Sequence, residues 1–256
     1  MSEQSAPGSK PSHPDPGKAD PGGSLFLRHA SPSLTAVLID AGFFLRRARR
    51  LFGEQSPEDA ARALHGMALD HLNDARDGQR VSRLYRIFVY DAEPARFKGH
   101  TPIGKCAVDY GKSAVAQWRR SFHQELRSQR KVALRLGELP VSQAHWQLRP
   151  AELKALCNGR RDWSSVSDED FYLDLRQKGV DMRLGLDIAA LAFKRQVSQI
   201  ILVSGDSDFV PAAKQARREG IDFVLDPMWA TIRPDLHEHV DGLRTVCPRP
   251  SSRGQA

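Results

Sequence analysis

The chain has 256 residues, an apolar fraction of 40%, a formal charge of +7 and a pI near 9.5. That suffices for a real core, while the lack of any run of about 18 apolar residues excludes a membrane-spanning helix and, with it, a membrane partner. The basic excess permits a polyanionic partner without requiring one, and three scattered cysteines, Cys106, Cys157 and Cys247, exclude a disulfide scaffold or a zinc motif and fit a cytoplasmic location.

Residues 1–33 are rich in Pro, Gly and Ser and hold almost no large apolar side chains. Such a segment cannot offset the entropy of ordering, so a disordered tail is expected; it also lacks the apolar stretch of a signal peptide. A second disordered tail is expected over 248–256. Between them, 34–247 reads as one domain. "LTAVLID" (34–40) is a nearly continuous apolar run, the mark of a strand buried on both faces. "PEDAARALHGMALDHLNDA" places Ala61, Leu64, Met67, Ala68 and Leu72 at helical spacing. "RLYRIFVYDA" (83–92) is a second strand. Residues 98–113 read as a long loop. The stretch 111–131 is a helix with Val115, Trp118, Phe122 and Leu126 on one side and a row of basic residues on the other. A third strand follows at 132–139, then another long irregular stretch at 157–177. "DMRLGLDIAALAFKRQ" (181–196) is a helix and "QIILVSGD" a fourth strand. A helix from 208 stops at Gly220, "IDFVLDP" is a fifth strand, and "LRTVC" (243–247) a short sixth. Alternation of this kind predicts an α/β fold around a mostly parallel sheet of five to six strands.

In such a fold the chemistry gathers beyond the carboxyl ends of the strands. Strand one ends in Asp40, strand two in Asp91, and strand four in Asp206 with Asp208 just after it, while the preceding helix opens near Asp181 and carries Asp187. Each aspartate alone is better explained as a turn or helix cap. Together at one edge they repel one another unless a cation stands among them, and oxygen ligands without His or Cys suit Mg²⁺ or Mn²⁺. Asp181 and Asp187 lie six residues apart and so on different faces of a continuous helix; either the helix begins after Asp181 or only one of them reaches a shared ion. Gly-rich phosphate loops, a GxSxG elbow and paired histidines are missing from the sequence.

The segments "LIDAGFFL", "KGVDMRLGLDIAALA" and "ILVSGDSDFVPAAKQAR" resemble, in wording and order, the NYN domain of LabA-like proteins, part of the PIN-like nuclease superfamily. The resemblance spans about Leu34 to Val246. It implies a three-layer PIN-like (Rossmannoid) fold, an aspartate-held Mg²⁺ or Mn²⁺ ion and cleavage of RNA by an endoribonuclease. Carried over by position, it makes Asp40, Asp181, Asp206 and Asp208 the catalytic set and Asp40, Asp181, Asp187, Asp206 and Asp208 the metal set. Lys178 matches the lysine of the "KGVD" segment and Ser204 the serine before the aspartate pair. One position departs: the family often carries Asn three residues after its first aspartate, where this chain has Phe43. That departure favours the alternative, a PIN-like RNA-binding or regulatory protein with weak or no turnover. A phosphatase acting on small molecules is a third reading of the acidic edge.

RNA, single-stranded or structured, is the expected partner. Arg46, Arg47, Arg49 and Arg50 follow Asp40 directly, and basic side chains give salt-dependent contacts to phosphates. Arg46, Arg47, Arg50, Lys178 and Ser204 are the candidate RNA contacts. Tyr90, Phe97, Trp118 and Trp229 are candidates for base stacking, with core packing the stronger reading of Trp118. Arg160 and Arg161 either touch RNA or clip their segment to the sheet. Whether the chain forms a homo-oligomer stays open at this stage.

Overall fold

A computed structural model describes residues 33–73 and 82–250. The expected disordered tails fall largely on 1–32 and 251–256, outside the described residues.

Strand β1 (Ser33–Asp40) is the apolar run read from the sequence, with Ala36 to Ile39 fully buried. It leads into helix α1 (Ala41–Phe52), which was not expected as a separate element. This helix buries Phe43, Phe44 and Ala48 and leaves Arg46, Arg49 and Arg50 exposed. Helix α2 (Pro57–Asp70) starts where the Ser56 hydroxyl accepts a bond from the Asp59 amide, with Pro57 in the first turn. Then come β2 (Ser82–Ala92), a small hairpin of β3 (Lys98–His100) and β4 (Ala107–Asp109), helix α3 (Ala114–Ser128) and β5 (Val132–Gly137). A second hairpin pairs β6 (His145–Leu148) with β7 (Phe171–Asp174) around the short helix α4 (Pro150–Cys157). The chain closes with α5 (Val180–Phe193), β8 (Gln199–Val203), α6 (Val210–Arg218), β9 (Asp222–Asp226), α7 (Pro234–Glu238) and β10 (Gly242–Leu243).

The main sheet has the order β10-β9-β8-β1-β2-β5 and every pairing in it is parallel. Side chains alternate across it, so Val37, Ile39, Ile87, Val89, Ile201 and Val203 face α1, α2 and α3. Ala36, Leu38, Phe88, Tyr90, Ile200 and Leu202 face α5, α6 and α7. Two buried layers against one sheet make the three-layer α/β sandwich that the strand–helix alternation predicted.

Two regions differ from expectation. Residues 98–113 and 157–177, read as irregular, contribute β3, β4 and β7. Both hairpins are held from outside their own sequence, which is why neither shows a local signal. Asp168 accepts from the amides of Ile103 (2.8 Å) and Gly104 (3.2 Å), and the Trp146 indole donates to the His100 carbonyl at 3.0 Å. Arg161 is bound to Glu152 and Asp170, so it clips its segment instead of reaching outward. The sixth strand begins earlier than predicted, at Gly242.

Candidate functional site

The chain leaves β1 for β2 and β5 on one side and returns to β8, β9 and β10 on the other. Strand order reverses there, and a reversal opens a crevice beyond the carboxyl ends of the two strands concerned. Ile39 pairs with Val203, so Asp40 and Ser204 are the next residues on either side of that crevice.

Asp40 is both the last residue of β1 and the cap of α1: its Oδ1 accepts from the Phe43 amide at 3.0 Å. Beyond β8 the Ser204 hydroxyl accepts from the Asp206 amide at 3.2 Å, and Asp206 Oδ1 accepts from the Asp208 amide at 3.0 Å. These bonds wind "SGDSDF" into one 3₁₀ turn that presents both aspartates before α6 begins. Gly205 in that turn lies against Phe43; a methyl group there would stand 2.8 Å from the ring. Phe43, which replaces the expected Asn, is thus the apolar wall on which the aspartate turn rests.

Asp181 comes from the third direction. The Lys178 backbone pairs with Glu138 in both directions, at 2.9 and 3.0 Å, at the end of β5. Gly137 makes this possible, because a Cβ there would be 2.6 Å from the Lys178 carbonyl and from Val180 Cγ2. Gly179 then turns the chain with φ of 75°, a left-handed conformation suited to glycine, and α5 starts with Asp181 in its first turn.

The charges of these residues act on one another. Burial raises the Asp40 carboxyl above its ordinary range, the Phe43 amide and Arg46 oppose that, and the Asp181 charge adds to it. Partial desolvation raises Asp181, and Asp206 and Asp208 push it further. Asp40, Asp181, Asp206 and Asp208 therefore share one neighbourhood. Among the described residues none of the four lies in an ion pair. Among the same residues no three acidic, His or Cys side chains are arranged to hold a metal ion as they stand. The donor set fits a hard cation all the same: oxygen only, with at least one oxygen of Asp40 and of Asp206 free of a backbone bond.

Two predicted members of the constellation are turned elsewhere. Helix α5 runs unbroken through Asp181 and Asp187, so the two point about 120° apart. Asp187 accepts from the Tyr90 hydroxyl at 2.8 Å and from Arg135 at 3.2 Å, and is not brought to the other four. Asp91 lies on the opposite face of the sheet from Tyr90. It is nearly fully buried, bound by Arg119 at 2.6 Å and by His123 at 2.7 Å. Burial alone would raise it, yet the His123 bond and the Arg119 charge bring it below its ordinary range. Arg119 and His123, four residues apart on α3, were missed; their shared helical face was the available signal.

The expected RNA contacts divide. Arg46 is exposed, its guanidinium beside Gly42 and its charge felt by Asp40. Arg50 and Lys178 are exposed as well. Arg47 is committed to the Met228 carbonyl, at 2.6 and 3.0 Å, where desolvation lowers its basicity. Ser204 is fully buried and shapes the turn, so it offers nothing to an RNA. Tyr90 is buried too, Phe97 stacks on Tyr110, and Trp118 stacks on Phe122 with its indole bonded to the Gln55 carbonyl. Trp229 is exposed, its indole donating to the Cys247 carbonyl at 2.9 Å. Next to Gly42 and Arg46 runs a cleft of about 1200 Å³, walled by α1, α3, the residues after β2 and the end of β7. Trp118, Arg119, Leu173 and Arg176 line it.

The family model described as NYN domain matches residues 154–233. Comparison with curated proteins gives no match. Among solved structures, a crystal structure of a protein of unknown function from Vibrio parahaemolyticus RIMD 2210633 aligns over 84% of this chain and 94% of that chain, at 14% identity and a TM-score of 0.45. Among the described residues no helix is long and apolar enough to cross a membrane. The matched segment carries Lys178, Asp181, Asp187, Ser204, Asp206 and Asp208, most of the residues placed above, and the NYN domain that it matches belongs to the PIN-like nuclease superfamily.

Proposed function

We propose that this chain is a divalent-cation-dependent ribonuclease, an endonuclease acting on RNA in the manner of LabA-like NYN proteins. The observation that supports the reading is the shared neighbourhood of Asp40, Asp181, Asp206 and Asp208 at the strand-order reversal, with no cationic side chain among the described residues in an ion pair with any of them. Asp40, Asp181 and Asp206 are the residues that would hold Mg²⁺ or Mn²⁺. The ion supplies a Lewis acid for the phosphate and a bound water of lowered pKa. Asp208 accepts a proton from the attacking water or orients it. Arg46, beside Asp40, faces the scissile phosphate and balances charge that grows on its oxygens. Arg50 and Lys178 hold flanking phosphates. Asp187 takes no part as a ligand in this reading, since Tyr90 and Arg135 occupy it.

The second reading, an RNA-binding protein with little turnover, rests on Phe43, whose ring stands where a polar side chain is usual. One assay separates the two. Wild type should cleave a labelled RNA with Mg²⁺ or Mn²⁺, EDTA should stop it, and Asp206→Asn should lower the rate at least about a hundredfold, as loss of a group acting on the transition state does. Cleavage that survives both treatments overturns the cation mechanism. Binding of RNA without cleavage selects the second reading, and release of phosphate from a simple monoester without RNA cleavage selects a phosphatase.

A further inference from the structure

The acidic edge opens sideways, past the carboxyl ends of β2 and β5, into the cleft of about 1200 Å³. Gly42 and Gln177 line the near end of that cleft, two residues after Asp40 and one before Lys178. Gly42 stands against Asp40 itself, since a Cβ there would lie 3.2 Å from the Asp40 Oδ1. The far walls are the first turn of α3 and the end of β7. Most of the lining is apolar, with Leu45, Pro94, Val115, Trp118 and Leu173 among it. Trp118 is held in place, its indole bonded to the Gln55 carbonyl and its ring stacked on Phe122.

Asp91 and Arg119 interrupt this apolar lining. Asp91, only 2% exposed, accepts from Arg119 Nη1 at 2.8 and 2.6 Å and is bound to His123 Nε2 at 2.7 Å. The guanidinium is thereby fixed through a single nitrogen. Among the described residues its Nε and Nη2 donate to no protein group, and the side chain is 29% exposed on the cleft wall. Those two nitrogens carry the parallel N–H pair that matches two oxygens of one phosphate. A buried carboxylate and histidine that hold the arginine from behind keep that fork oriented before any ligand arrives. The Asp91–Arg119 pair is electrically balanced. Arg46, at the mouth of the cleft, lies in no ion pair among the described residues and supplies net positive charge there. Apolar walls around one phosphate fork suit an unpaired strand, whose bases and riboses can lie against them. A duplex keeps its bases inside and offers mainly charged backbone. The volume exceeds the roughly 300–1,000 Å³ of a site for one drug-sized ligand, which leaves room for more than one nucleotide.

We propose that this cleft seats the unpaired RNA strand on one side of the cut, and that Arg119 holds one phosphodiester of that strand through Nε and Nη2. The proposal rests on the nuclease reading for what happens at the acidic edge, but the seat is tested by binding alone. The probes are a short labelled oligouridylate and an RNA duplex of equal length, titrated in Mg²⁺ with the full chain carrying Asp206→Asn so that neither is cut. This parent should bind the single strand at least about tenfold more tightly than the duplex. Arg119→Gln should weaken single-strand binding about tenfold and lower the slope of log affinity against log salt by about 0.7, the loss of one phosphate contact. Arg119→Lys, which keeps the charge without the fork, should not restore the affinity. Val115 is 75% exposed in the first turn of α3, where a carboxylate suits the helix. Val115→Glu should therefore keep the fold and weaken single-strand binding about tenfold by repelling phosphates. No RNA binding, equal binding of strand and duplex, an unchanged salt slope in Arg119→Gln, or unchanged affinity in Val115→Glu each overturns the proposal. If the Arg119 variants fail to fold, Val115→Glu and the duplex comparison decide. A strand bound in this way that wild type never cuts overturns the nuclease reading alone, and cleavage by a wild type whose seat variants bind like the parent overturns the seat alone.

Discussion

Asp40 and Asp91 stand on neighbouring strands and are both buried, but their partners leave them with opposite effects on stability. The folded protein holds Asp40 and Asp181 above their ordinary carboxylate range, chiefly by desolvation. A raised carboxyl stabilises the fold below the unfolded value of about 3.9 and loses that contribution as pH rises through the folded value. Asp40→Asn should therefore raise the melting temperature by a few degrees at pH 7 and give no gain near pH 3, because Asn still caps α1. Cleavage should fall on acidification at a pH above the usual carboxylate range, and added Mn²⁺ should move that limb lower, since cation and proton compete for the same oxygens. Asp91 has the reverse sign. It is held below its ordinary range, so its contribution is present above about 3.9 and vanishes as pH falls through the folded value. Asp91→Asn leaves Arg119 and His123 facing a neutral group and should cost about 3–5 kcal/mol at pH 7, read by urea unfolding. Gly205 and Phe43 supply a third test. Gly205→Ala should cost about 1–3 kcal/mol by overpacking, and clearly less in a Phe43→Leu background, where the two changes share one contact.

Among the elements, the junction of β5 with the start of α5 fixes Asp181. Gly137→Ala drives a methyl group into backbone atoms that cannot rotate away. It should cost about 3 kcal/mol, or about 6–12 °C of melting temperature for a domain of this size, and lower Mn²⁺ affinity by moving Asp181. Among the described residues little packs on the other side of α5, where Met182, Leu186 and Phe193 are exposed. The sequence shows 181–196 as a helix, but which of its apolar residues the sheet and α6 cover appears only in the fold. The split between Asp181 and Asp187 was also readable, from helical spacing alone. The diversion of Asp91 was not, because it depends on how α3 is rotated against β2. Nor could Ser204 be told from a surface serine before the turn after β8 was seen to fold back on it.

In the molecule as a whole, the long apolar strands and the helices between them were legible because each is stabilised by its own period of burial. The two hairpins were not, being three or four residues per strand and fastened through Asp168, Trp146 and Arg161 to distant segments. The acidic edge was legible as a set of residues, but its membership depended on side-chain direction that no single sequence displays.

The central position of β1 has a bearing on how the chain is made. One of its edges pairs with β2, while the other waits for β8, and contacts such as Leu34 with Ser198 span 164 residues. At about 5–20 residues per second on a ribosome, that open edge is without its partner for roughly 10–30 s. Through that interval Asp40 has neither Asp206 nor Asp181 beside it. The acidic edge is thus incomplete until the last third of the chain has emerged, and the carboxylates that repel one another meet only after most of the apolar core has formed.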